Sequence, residues 1–115
     1  MSFQLLKGKE LSMKLLRDKE YRKEYKEYQK SVISHFNNIM NERTTYELRS
    51  NDSNHKIFYI VSPSMYDSNK IQLTTFVNET TAYSHMTYNS IKELLEDNKN
   101  LFVLAQYKIY KELVA

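Results

Sequence analysis

The sequence predicts an α+β domain with a long N-terminal helix and a mainly antiparallel four-stranded sheet, in the order helix, strand, strand, strand, helix, strand. Three observations predict it. Apolar residues recur at helical spacing between Tyr21 and Ile39, three short strand-like runs follow between turn-forming residues, and a capped helix at Ser90 precedes a last alternating run.

The first element is expected from about Ser12 to Asn41, a stretch without proline or glycine. Tyr21, Tyr25, Tyr28, Val32, Phe36 and Ile39 fall at spacings of three and four, which is one face of an α-helix. Ile33 and Met40 widen that stripe, and Asn41 is the expected stop. The three runs are TTYELRS (44–50), KIFYIVS (56–62) and KIQLTTFV (70–77), joined by NDSNH and PSMYDSN. Asn, Asp, Ser and Pro turn chains, so hairpins are predicted. The segment NETTAYSHMTY reads as an irregular connection. Ser90 with Glu93 three residues on forms a capping box for a short helix, Ile91 to Asp97, with Ile91, Leu94 and Leu95 on its apolar face. The run LFVLAQYKIY (101–110) alternates and is predicted as the fourth strand.

Size and composition bound the rest. The 115 residues suit one domain, with residues 1–17 as a candidate separate N-terminal arm or short helix. At 41% apolar and 27% charged, the chain reads as globular rather than disordered or membrane-spanning, and a cytoplasmic protein is expected. There is no cysteine, which excludes disulfides, thiolate nucleophiles and thiolate metal sites. The lone glycine, Gly8, leaves no glycine-rich loop to cradle phosphate. No cofactor is expected. Net charge is +3, and residues 1–30 carry most of the basic character, with nine Lys or Arg against five acids.

Length then raises a problem. A helix of about 30 residues is about 45 Å long, whereas a seven-residue strand spans about 23 Å. The tyrosine stripe overhangs such a sheet, so either the helix breaks between Gly8 and Asp18 and folds back, or the overhang meets another chain. Around the helix, Lys19, Arg22, Lys23, Lys26 and Lys30 fall on one flank, Glu20, Glu24 and Glu27 on another, and the tyrosines opposite both. Cations and aromatics interleaved in sequence are therefore separated in space. The basic flank is the candidate nucleic-acid surface, and Tyr21, Tyr25 and Tyr28 are candidates for a partner-binding face.

The strand pattern adds a second surface. With Leu48, Ile57, Tyr59, Val61, Ile71, Leu73, Val103 and Tyr107 on a core face, the opposite face carries Glu47, Arg49, Phe58, Ile60, Gln72, Thr74, Phe76, Phe102, Leu104, Lys108 and Tyr110. That is too apolar to stand wet, and it calls for cover by the short helix or the 80–88 connection, for a partner, or for stacked bases. Phe58, Phe76, Phe102 and Tyr110 are its candidate contact residues. His35, His55 and His85 lack metal-ligand spacing, and no metal is expected. His85 stands near Tyr83, Tyr88 and Ser90, a candidate small-ligand pocket. The expectation is a non-enzymatic binding protein that self-associates or engages a protein partner, a modulator or inhibitor of the kind phages and mobile elements encode. Nucleic acid and a small ligand are the alternatives, and no membrane partner is expected.

Overall fold

An aspartate divides the N-terminal stripe into two helices, α1 (Gly8–Arg17) and α2 (Lys19–Asn41). This is seen in a computed structural model that describes residues 3–50, 56–67, 69–78 and 82–114. Asp18 is extended (φ −112°, ψ 103°), and its N–H donates to Lys14 O at 2.9 Å, closing α1. Its carboxylate accepts from the N–H groups of Glu20 and Tyr21 at 3.1 and 3.0 Å, satisfying donors at the start of α2. The same carboxylate lies 3.2 Å from Lys14 Nζ. The Tyr21 N–H bond, then Lys14, hold it below the usual carboxylate range. The expected continuous helix is thus corrected: one residue both ends a helix and begins the next.

Ahead of α1 the chain turns back onto α2. Gly8 has φ +55°, the left-handed region where a side chain is strained, and Phe3 and Leu5 on its N-terminal side are buried. Phe3 stacks on Tyr21 at 5.4 Å and lies tilted against Tyr28 at 5.2 Å, centroid to centroid. Tyrosine hydroxyls lace the segment down: Tyr21 donates to Gln4 O at 2.8 Å, and Tyr107 and Tyr110 to Leu6 O and Phe3 O, each at 3.4 Å.

Four strands follow: β1 (Tyr46–Arg49), β2 (Ile57–Pro63), β3 (Ile71–Val77) and β4 (Ala82–Tyr88). They form one antiparallel sheet in the order β1-β2-β3-β4. The first three are the predicted strands. The fourth lies where an irregular connection was expected. Helix α3 (Ile91–Asp97) is the predicted short helix, and Ser90 Oγ accepts from Glu93 N–H at 3.1 Å.

The run predicted as a final strand belongs instead to α4 (Lys99–Val114). Leu101, Ala105 and Ile109 are fully buried at i, i+4 and i+8, with Gln106 beside them, so the burial follows a helical period rather than an alternating one. The order among the described residues is two helices, four strands and two helices. Among the described residues none of these helices is long and apolar enough to cross a membrane.

The core is one continuous cluster. It joins Phe3 and Leu5, the α2 stripe (Tyr21, Tyr28, Val32, Phe36, Met40), Ile91, Leu94 and Leu95 of α3, the α4 stripe, and the inward residues Tyr46, Leu48, Tyr59, Val61, Leu73 and Tyr88 of the sheet. Helices therefore cover one face of the sheet.

Candidate functional site

The register fixes what the other face carries. Successive residues of a strand point to opposite sides, and paired residues share a side, so the face away from the core reads as rows across the sheet. One row is Arg49, Phe58, Phe76; the next is Glu47, Ile60, Thr74, His85; the third is Ser62, Gln72, Thr87. None of Phe58, Ile60 and Phe76 belongs to the core cluster or to the apolar residues packed against it. Helix α3, one expected cover, packs on the opposite side through Ile91, Leu94 and Leu95. The 82–88 segment, the other expected cover, is itself the edge strand β4. No described helix lies over this face.

The first row is ordered by its own contacts. The Arg49 guanidinium carbon sits 4.3 Å from the Phe58 ring centroid, and the Phe58 and Phe76 rings stack at 5.9 Å and 28°. An arginine on an aromatic face gains cation–π attraction and holds both groups in place. At the far end of the second row, His85 Nδ1 is 3.1 Å from Thr74 Oγ1 and 3.4 Å from Gln72 Nε2. Thr74 is buried beneath these neighbours. The face thus has an apolar centre (Phe58, Ile60, Phe76) rimmed by Arg49, Glu47, Gln72, His85 and Thr87.

The other predicted site residues lie elsewhere. Tyr21 and Tyr28 are buried in the chain's own core and Tyr25 is half-buried, so the stripe is covered by the N-terminal segment and α4 rather than left for a second molecule. Tyr25 OH donates to Gln106 Oε1 at 2.7 Å, and Tyr28 OH donates to the Gln106 carbonyl. Burial pushes the Tyr28 phenol up to about 12 and raises that of Tyr25. These phenols are neutral hydrogen-bond donors of the core. The alternating pattern of 101–110 predicts Phe102 and Tyr110 on the outer sheet face. As residues of α4 they pack against the core, Tyr110 edge-on to Tyr28 at 6.1 Å.

The proposed pocket at His85 is not assembled. The pleat sends His85 to the outer face and Tyr88 to the core face, where Tyr88 OH donates to Asp97 Oδ2 at 2.7 Å and accepts from Asn98 Nδ2 at 3.1 Å. Ser90 is spent on its cap. Tyr83 belongs to β4, and its side chain, like the whole of His55, lies outside the described residues. Lys19, Arg22, Lys23, Lys26 and Lys30 are all exposed on α2, as the helical phase predicts. His35 Nε2 is 3.4 Å from Glu112 Oε2, a contact between α2 and α4. Among the described residues no three His, Asp or Glu side chains converge as metal ligands.

Sequence reasoning passed over one exposed pair. Met65 and Tyr66, in the turn between β2 and β3, are 90% and 96% exposed. Ser64 Oγ accepts from Tyr66 N–H at 3.2 Å and Asp67 Oδ1 from Asn69 N–H at 3.0 Å, so the turn is organised by its own polar residues. The signal was present as two large side chains inside a run otherwise made of turn formers.

Comparison with protein-family models, curated proteins and solved structures finds no match for this chain.

Proposed function

We propose that this chain is a small non-enzymatic binding protein that acts through protein–protein contact, with the outer face of the sheet as its contact surface. The observation that carries the reading is the ordered row Arg49, Phe58, Phe76, beside Ile60, on a face that no described helix covers. Aromatics and arginine within a polar rim make up the centre of many protein interfaces. A modulator or inhibitor of a larger protein is the role this surface fits.

Stacked nucleic-acid bases suit the face less well. One face of Phe58 is already taken by Arg49, and Glu47 in the adjacent row offsets the arginine charge. A base-stacking groove needs open rings along a positive track. The exposed cations lie on α2, whereas the aromatic row lies on the sheet.

The test is photo-crosslinking in the cell that encodes the protein, with a benzophenone amino acid at Ile60 or Phe76 and, as a control, at Lys23. Discrete crosslinks to a protein from positions 60 and 76, absent from 23, are expected. Crosslinks from Lys23 alone, or to nucleic acid, would overturn the reading.

A further inference from the structure

The sheet has two edges, and they are treated differently. β1 is four residues long, carries Glu47 and Arg49, and has one carbonyl capped from outside the sheet: Lys108 Nζ donates to Glu47 O at 2.7 Å. Shortness, charge and a covering lysine are the devices by which natural sheets keep an edge from pairing. β4 has seven residues, AYSHMTY, with no Asp, Glu, Lys, Arg or Pro. Its one irregularity is the register shift that sets Phe76 against Ala82 and Thr75 against Ser84, which leaves Ser84 to Tyr88 in regular pairing with β3. Within that stretch His85, Met86 and Thr87 are exposed in succession, on both sides of the sheet, and Met86 is 49% exposed on the side facing the helices.

We infer that β4 pairs antiparallel with β4 of a second copy of this chain, about a two-fold axis through Met86. Three features select a second copy. The strand bears no charge, so bringing it against itself raises no repulsion. Met86 is the centre of the regular stretch, so a two-fold axis there pairs all five residues: Met86 with Met86 of the second copy, His85 with Thr87, and Ser84 with Tyr88. The two thioethers then cover each other, and methionine adapts its shape to such a contact. An isologous pair of this kind is the commonest form of homo-oligomer.

The geometry has a consequence for the outer face. Paired residues project to the same side, so the axis runs perpendicular to the sheet, both helical layers fall on one side, and both Arg49, Phe58, Phe76 rows fall on the other. The product is an eight-stranded sheet about 35 Å across, with two copies of the contact surface in one plane. The inference does not rest on the function proposed above, because it uses the backbone edge of β4 and not the aromatic row.

The absence of cysteine allows a direct test. Antiparallel residues that face each other have Cα atoms about 4.5–5.5 Å apart, inside the 4.4–6.8 Å range, roughly, of disulfides. In Met86→Cys the two new thiols face each other. In His85→Cys they are offset by two residues along the strands, about 8 Å apart. Mild oxidation of the full chain should therefore crosslink Met86→Cys dimers and leave His85→Cys and Lys23→Cys without a covalent link. Sedimentation equilibrium of the unmodified protein should show a monomer–dimer equilibrium, with the dissociation constant raised at least about tenfold in Met86→Lys or Thr87→Lys at unchanged circular dichroism. A strictly monomeric protein at high micromolar concentration, equal crosslinking of all three cysteine variants, or dimerisation indifferent to both lysines would overturn the proposal. If the crosslinks from Ile60 and Phe76 survive in Met86→Lys, the contact face and the edge act separately.

Discussion

At the scale of single residues, Asp18 does most to set the course of the chain. Its pKa lies below that of the same carboxyl in an unfolded chain, because its charged form accepts the Tyr21 N–H bond and faces Lys14. Its contribution to stability is therefore present above the unfolded carboxyl pKa and lost as pH falls through the lowered one. Asp18→Ala should lower the melting temperature at neutral pH, and the difference from the parent protein should vanish in acid. Equal loss at all pH values would show that the residue acts by packing alone. Two phenylalanines make a second comparison. Phe36 is fully buried and edge-on to Tyr46 at 4.7 Å, so Phe36→Ala should cost about 3–5 kcal/mol by the usual range for such truncations. Phe58 lies outside the core cluster, and Phe58→Thr should cost about 1 kcal/mol or less, the scale of a cross-strand pair. Denaturant unfolding of the two variants measures both. A large loss at Phe58 would mean that the outer face is structural.

At the scale of elements, what was legible in the sequence was what a single period expresses. β1, β2 and β3, the short helix and the Ser90 cap were read correctly because their patterns were clean and their ends were marked by turn or capping residues. Two elements were missed for opposite reasons. α4 is apolar nearly all round between Leu101 and Ile109, so alternation and helical periodicity both fit, and the buried set Leu101, Ala105 and Ile109 became visible only with the neighbouring helices in place. β4 is an edge strand with just Met86 and Tyr88 to mark an apolar side, too little for an alternating signal. Those errors compounded. With α4 read as a strand, no second helix is left to shelter Tyr21, Tyr25 and Tyr28, and the overhang leaves only a break between Gly8 and Asp18 or a second molecule; the break at Asp18 is what the chain has. The outer face survives because Phe58 and Phe76 come from the correctly read strands, whereas Phe102 and Tyr110 were carried there by the misread one.

At the scale of the whole molecule, tyrosine joins the N-terminal segment, α2 and α4 into one core, and that makes the fold sensitive to alkali. Burial raises the phenols of Tyr25, Tyr46, Tyr59, Tyr88 and Tyr107, and moves Tyr28 from 10.0 to about 12. An unfolded chain releases these protons first. The stability they contribute is thus complete below about pH 10 and lost as pH rises toward the folded value. Spectrophotometric titration should show a late group of phenols that ionises together with the loss of circular dichroism. Phenols that all titrated near the ordinary value while the fold persisted would contradict the buried, neutral cluster.

The same cluster predicts what happens when its cover is removed. Phe3 and Leu5 are 7% and 8% exposed, and their segment is held by hydroxyls from Tyr21, Tyr107 and Tyr110. A segment held by a few side-chain contacts opens locally at less cost than the core unfolds, so Phe3→Ser with Leu5→Ser should release it while the sheet and α4 remain folded. Tyr21 and Tyr28 then meet water along the face of α2. Two effects should appear together: the raised Tyr28 phenol ionises at lower pH than in the parent protein, and light scattering shows association that grows with concentration. That association would pass through the uncovered stripe, so adding Met86→Lys should leave it in place while removing any pairing of β4. If the double serine variant kept the late phenol titration and gained no association, the N-terminal segment would not be what shields the stripe.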